Sequence, residues 1–153
     1  MLVFILYAIT LARTTAFWDT SEYIATGHIM GIPHPPGNPL FVVLARAWSV
    51  LLSPLQLSVA IRINLFSAVM SASAHALWFL VVHHILRYFS REHYFRLIGA
   101  AAAVLVSATA FTVWNQSNVN EKVYTVSLLT IALLTWLAAV SYTHLTLPTN
   151  REV

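Results

Sequence analysis

The residues best equipped for chemistry are carboxylates that border apolar segments: Asp19 and Glu22 in Asp19-Thr20-Ser21-Glu22-Tyr23, and Glu121 in Asn120-Glu121-Lys122-Val123-Tyr124. A spacing of three puts Asp19 and Glu22 on one face if the segment is helical. Acids beside a membrane are costly unless solvated or paired, so a pair at the mouth of a span marks a candidate site. A carboxylate within about 3 Å of an alcohol can take its proton as the oxygen attacks an electrophile such as an anomeric carbon. The plainer alternative is a helix start, with Asp19 as N-cap, Glu22 completing a capping box, and Gly31 ending the helix before Pro33.

Other polar groups lie near these acids. His34-Pro35-Pro36-Gly37-Asn38-Pro39 excludes a helix and forms a rigid turn. That turn either aims His34 at a ligand phosphate or only separates two interfacial helices. Arg62, at the start of a later apolar run, either meets a lipid phosphate or snorkels to the interface. Trp114 to Lys122 is a second polar patch, in which Glu121 and Lys122 read equally well as an interfacial ion pair. No His-Glu-x-x-His string is present, and the adjacent His83 and His84 point to different helix faces, so local spacing gives no metal site.

These groups need elements to hold them, and composition says which. The 153 residues are 59% hydrophobic and 8% charged, with eight Lys or Arg and five Asp or Glu. That excludes an ordinary soluble domain and, with no dense basic face, nucleic-acid binding. Zero cysteines exclude thiol catalysis, disulfides and cysteine-ligated metal. The expectation is an all-α membrane protein, a polytopic helical bundle. Spans are expected at about 1–12, 63–82, 97–113 and 123–140, since a crossing takes about 20 apolar residues. A polar loop occupies 13–39, and the run 40–52, short and carrying Arg46, is expected to be interfacial or re-entrant. The arginines between Arg87 and Arg96 place that loop in the cytoplasm. Both acidic loops then share the opposite face. The tail 141–153 breaks the apolar pattern and reads as foreign to the rest, and the chain as a fragment of something longer.

Asp19-Thr-Ser-Glu22-Tyr23, Gly31-Ile-Pro-His-Pro-Pro-Gly37-Asn-Pro-Leu40, Trp114-Asn-Gln-Ser117 and Asn120-Glu121-Lys122-Val-Tyr124-Thr125, in that order, resemble the amino-terminal region of the transmembrane-protein-260-like protein O-mannosyltransferases. The resemblance covers roughly residues 1 to 140. It implies a GT-C type glycosyltransferase with interfacial helices in its first non-cytoplasmic loop. Such an enzyme moves a sugar, mannose by the family name, from a polyprenyl-phosphate donor to a protein Ser or Thr hydroxyl or a glycan acceptor. By the same analogy Asp19, Glu22 and Glu121 are catalytic candidates; beside them, His34, Arg62, Tyr23 and Asn115 are the substrate-binding candidates. A divalent cation is an open option, and the implied setting is a bacterial inner membrane with a periplasmic site. Where members usually carry Ala-Glu-Val-Tyr, this chain has an extra lysine, Lys122. A transporter or flippase fragment, whose acids would couple ions, and a non-catalytic scaffold are the competing readings.

Overall fold

A computed structural model describes residues 1–16 and 18–145. Among them the chain is all helix and turn, about 75% helical with no strand. Seven helices follow in order: α1 (Leu2–Ile9), α2 (Thr20–Ile29), α3 (Pro39–Leu51), α4 (Val59–Leu86), α5 (His93–Thr109), α6 (Phe111–Asn118) and α7 (Tyr124–Leu145). A single 3-10 turn, Ser53–Leu55, links α3 to α4. Of the expected tail, 141–145 continue α7 and 146–153 lie outside the described residues.

Among the described residues two helices are long and apolar enough to cross a bilayer, Val59–Leu86 and the stretch Tyr124–Tyr142 of α7. A third crossing exists if α5 and α6 count as one span, bent by 68°. The bend falls at Ala110, whose extended backbone (φ −58°, ψ 131°) ends one helix and starts the next. The first part of the polar patch Trp114 to Lys122 therefore lies in a short helix, α6. The 13 residues of α3 rise only about 20 Å, too little for a hydrocarbon core of about 30 Å.

α4 is the axis of the bundle. One apolar cluster joins Tyr23 and Ile24 of α2, Phe41, Val42 and Ala45 of α3, Ile63 and Phe66 of α4 and Val126 of α7. A second joins Tyr7 of α1, Ala68 of α4 and Ala108 of α5. Its 28 residues set the acidic loops, near its start, and the loop Arg87 to Arg96, at its end, about 40 Å apart.

α2 and α3 run side by side in the same direction, Tyr23 against Phe41 and Gly27 against Ala45, and they pack tightly because small residues meet between them. A Cβ built on Gly27 would lie 3.0 Å from Ala45 Cβ, so the two backbones approach closely. Arg46, the charge within the apolar α3, donates from Nη1 to the carbonyl of His28 in the last turn of α2. It satisfies a carbonyl that the helix end leaves open, and its charge suits the negative end of the helix dipole.

Candidate active site

The start of α2 departs from the expected capping box. Asp19 is the N-cap residue, but its side chain makes no capping hydrogen bond. Only its backbone carbonyl serves the helix, accepting from Tyr23 N at 3.0 Å. Glu22 does not reach back either. Both carboxylates are released for tertiary contacts because the neighbouring loops bring them stronger, cationic or ring N–H partners. The helix ends one residue before the expected glycine: Met30 takes the left-handed conformation (φ 57°), and Gly31 N donates to Thr26 O.

The turn after α2 then delivers His34. Gly37 N donates to His34 O at 3.1 Å, and Gly37 lies at φ 82°, a conformation glycine adopts without strain. Closing the chain this way points His34 back at α2. Its backbone N donates to Glu22 Oε1 at 2.6 Å and its Nδ1 lies 2.8 Å from Glu22 Oε2. With Nδ1–H directed at the carboxylate, Nε2 of a neutral ring is left as an acceptor, and it faces Asp19 Oδ2 at 3.8 Å. These hydrogen bonds hold the Glu22 carboxyl below its ordinary range.

Lys122 completes the cluster from the other loop. Its Nζ is 3.1 Å from Asp19 Oδ2, and the hydrogen bond to Asp19 raises its pKa. The sequence pairs Lys122 with its neighbour Glu121; the structure pairs it with Asp19 instead. Glu121 accepts from Gln116 Nε2 at 2.5 Å, and it lines a small polar pocket with Asn115, Trp18 and Thr20. Because Trp18 and Thr20 flank Asp19, Glu121 and Asn115 border the same mouth without touching the pair.

Tyr23 turns its ring inward, with an edge contact to His34 (centroids 5.9 Å) and another to Phe41. Its hydroxyl oxygen accepts from Asn38 Nδ2 at 2.7 Å, and burial raises its pKa. Arg62 is the sequence-predicted site residue that stands apart. Its Nη1 donates to Ser49 O at 2.6 Å and its own carbonyl accepts from Trp48 Nε1. It therefore ties α3 to α4 and neither meets the cluster nor snorkels freely.

One ligand atom from each of Asp19, Glu22 and His34 can be chosen so that all three lie within 4.8 Å of one another. The donor set, two carboxylates and an imidazole, suits a divalent cation, although Glu22 and Asp19 are engaged by His34 and Lys122. Histidine spacing could not show this grouping, because His34 arrives from twelve residues beyond Glu22. Lys122 and Asn38 were missed as members of the site. The extra lysine in an otherwise familiar motif was the one signal pointing to Lys122.

Residues 19–152 match the family model described as the Protein O-mannosyl-transferase TMEM260 N-terminal domain. Over 132 residues the chain is 33% identical to the Protein O-mannosyl-transferase TMEM260 of Mus musculus, a match covering 84% of this chain and 17% of the relative. It is likewise 33% identical over 79 residues to the Protein O-mannosyl-transferase tmem260 of Dictyostelium discoideum, covering 52% of this chain and 10% of the relative. The chain thus spans a minor part of the length of these relatives. No solved structure matches it.

Proposed function

The chain belongs to the TMEM260 N-terminal-domain family, and from that premise we propose that it carries part of the active site of a membrane glycosyltransferase of GT-C type. The whole protein would transfer mannose from a polyprenyl-phosphate donor to a protein Ser or Thr hydroxyl. The observation that carries this reading is the position of Asp19, at a membrane-border mouth and framed by groups from two loops, Lys122 and the Glu22–His34 pair.

In this reading Asp19 takes the proton of the acceptor hydroxyl as that oxygen attacks the anomeric carbon, and the configuration inverts. Glu22 fixes the ring of His34, so that His34 Nε2 stands beside Asp19 as the next group able to carry the proton away. The Lys122 ammonium orients the carboxylate and contributes positive charge where the donor phosphate departs. Glu121 and Asn115 border the space available to the acceptor, and Tyr23 is a wall of the site held by Asn38. Arg62 is left out of phosphate binding in this reading, because it stands apart from the cluster and turns its Nη1 to Ser49 O. A divalent cation held by Asp19, Glu22 and His34 would add neutralising charge for the same phosphate. The positively charged loop from Arg87 to Arg96 at the other end of α4 orients the site away from the cytoplasm, to the periplasm if the host is bacterial.

The test is Asp19→Asn in the full-length protein, assayed in vesicles holding a mannosyl-phosphoprenol and a threonine-containing peptide. Loss of transfer with unchanged membrane insertion supports the reading. Undiminished transfer removes Asp19 from the chemistry and overturns this site, whereas absence of transfer by the wild type itself favours a scaffold.

A further inference from the structure

Asn64 lies in the first turns of a membrane-length helix and is completely buried. Burying an amide there without partners is costly, and an apolar residue would suit the helix better. Its partners are therefore informative. Asn64 Nδ2 donates to the carbonyls of Ala12, at 2.9 Å, and Thr14, at 3.3 Å. Asn64 Oδ1 accepts from the backbone N of Asn120 at 3.0 Å. None of these bonds goes to a neighbouring helix. One side of the amide holds the segment that leads into Asp19, and the other holds the segment that leads into Glu121 and Lys122.

The same face of α4 repeats the arrangement. Ser67, three positions on, donates to Asn120 Oδ1 at 2.6 Å, and Ser71 Oγ is 2.7 Å from Ser117 Oγ. Positions i, i+3 and i+7 share one helical face, so α4 carries a ladder of polar grips, the first two on the loop after α6 at Asn120 and the third on α6 itself at Ser117. The first loop also meets the end of α6 directly, Ala12 N donating to Asn118 O at 3.2 Å. Only Asn64 among the three ladder residues grips both loops.

We infer that Asn64 is a positioning residue for the site, a clasp that sets the register of the two loops so that Lys122 meets Asp19. It touches neither partner of that pair and acts through the backbone on either side. The catalytic consequence rests on the proposed glycosyl transfer; the structural consequence does not.

The experiment uses full-length protein in detergent. Lys122 is acylated with an amine-reactive reagent and its rate of modification read by peptide mass spectrometry, alongside thermal midpoint and transfer kinetics. Asn64→Ala is expected to expose Lys122, raising its labelling several-fold, and to lower kcat on the order of a hundredfold with little change in KM, as expected when reacting groups shift by about an ångström. Val81→Ala, in the buried far half of α4, is the control for general destabilisation and is expected to leave Lys122 labelling unchanged. Should Asn64→Ala not fold, Asn64→Asp decides, since it retains the acceptor for Asn120 N and loses the donor to Ala12 and Thr14. Lys122 labelling at the wild-type rate in a folded Asn64 variant overturns the inference, as does an equal rise in the control. A labelling difference in a protein that shows no transfer even as wild type retains the clasp and removes the enzymatic reading.

Discussion

Lys122 Nζ stands 3.1 Å from Asp19 Oδ2, an ion pair between two loops about a hundred residues apart in the chain. Both groups are partly exposed, and such pairs add little to stability; the contact matters because it shows that the loops open on one mouth. Lys122→Met is therefore expected to leave the thermal midpoint almost unchanged while transfer falls on the order of tenfold or more, through loss of carboxylate orientation. Lys122→Arg is expected to restore part of the rate. Transfer by Lys122→Met at the wild-type level would show that the pair is only an anchor.

Glu22 links the site to pH. Its folded-state pKa lies below the ordinary 4.5 because His34 donates to it through ring and backbone. A depressed carboxylate stabilises the fold above its unfolded value and loses that contribution as pH falls through the folded one. The thermal midpoint of the wild type is expected to drop on acidification below about 4.5, and that of Glu22→Gln to drop less over the same range. Parallel curves for the two proteins would place the acid sensitivity elsewhere.

Arg62 offers a contrast between anchoring and binding. Replacing it with Met removes the donor to Ser49 O and leaves a carbonyl of a buried residue without its partner, a loss of about 1–3 kcal/mol. The expected result is a lower thermal midpoint with the KM for the prenyl-linked donor unchanged. A raised KM at an unchanged midpoint would return Arg62 to the phosphate.

Gly27 tests whether the α2–α3 contact positions the acids. Its Cβ would meet Ala45 Cβ at 3.0 Å, so Gly27→Val overpacks the interface, typically at about 1–3 kcal/mol. It pushes apart the helix that carries Glu22 and the one that follows His34. Reduced stability is expected together with reduced transfer, whereas a compensating Ala45→Gly should recover both. Failure of that second change to recover either would separate the packing from the site.

The covalent sequence by itself determined what depends on neighbours along the chain. Apolar runs such as Ile63 to Val82 dictate helices that only a bilayer or a bundle can cover, and the thirteen residues of α3 are too few to cross one. The prolines from Pro33 to Pro39 with Gly37 impose a turn, and the order of the acidic and His-Pro-Pro-Gly motifs marks the family. Pairing was another matter. Asp19 had a helix to cap, Lys122 had Glu121 beside it, and Arg62 had an interface to reach; each took a partner from another element instead. Hydrogen bonds and ion pairs act over about 3 to 4 Å, and whether Lys122 comes that close to Asp19 depends on how α4 and α7 pack and on which groups clasp the loops between them. That distance exists only once the helices have assembled, and so the tertiary structure alone decided which charges share the mouth.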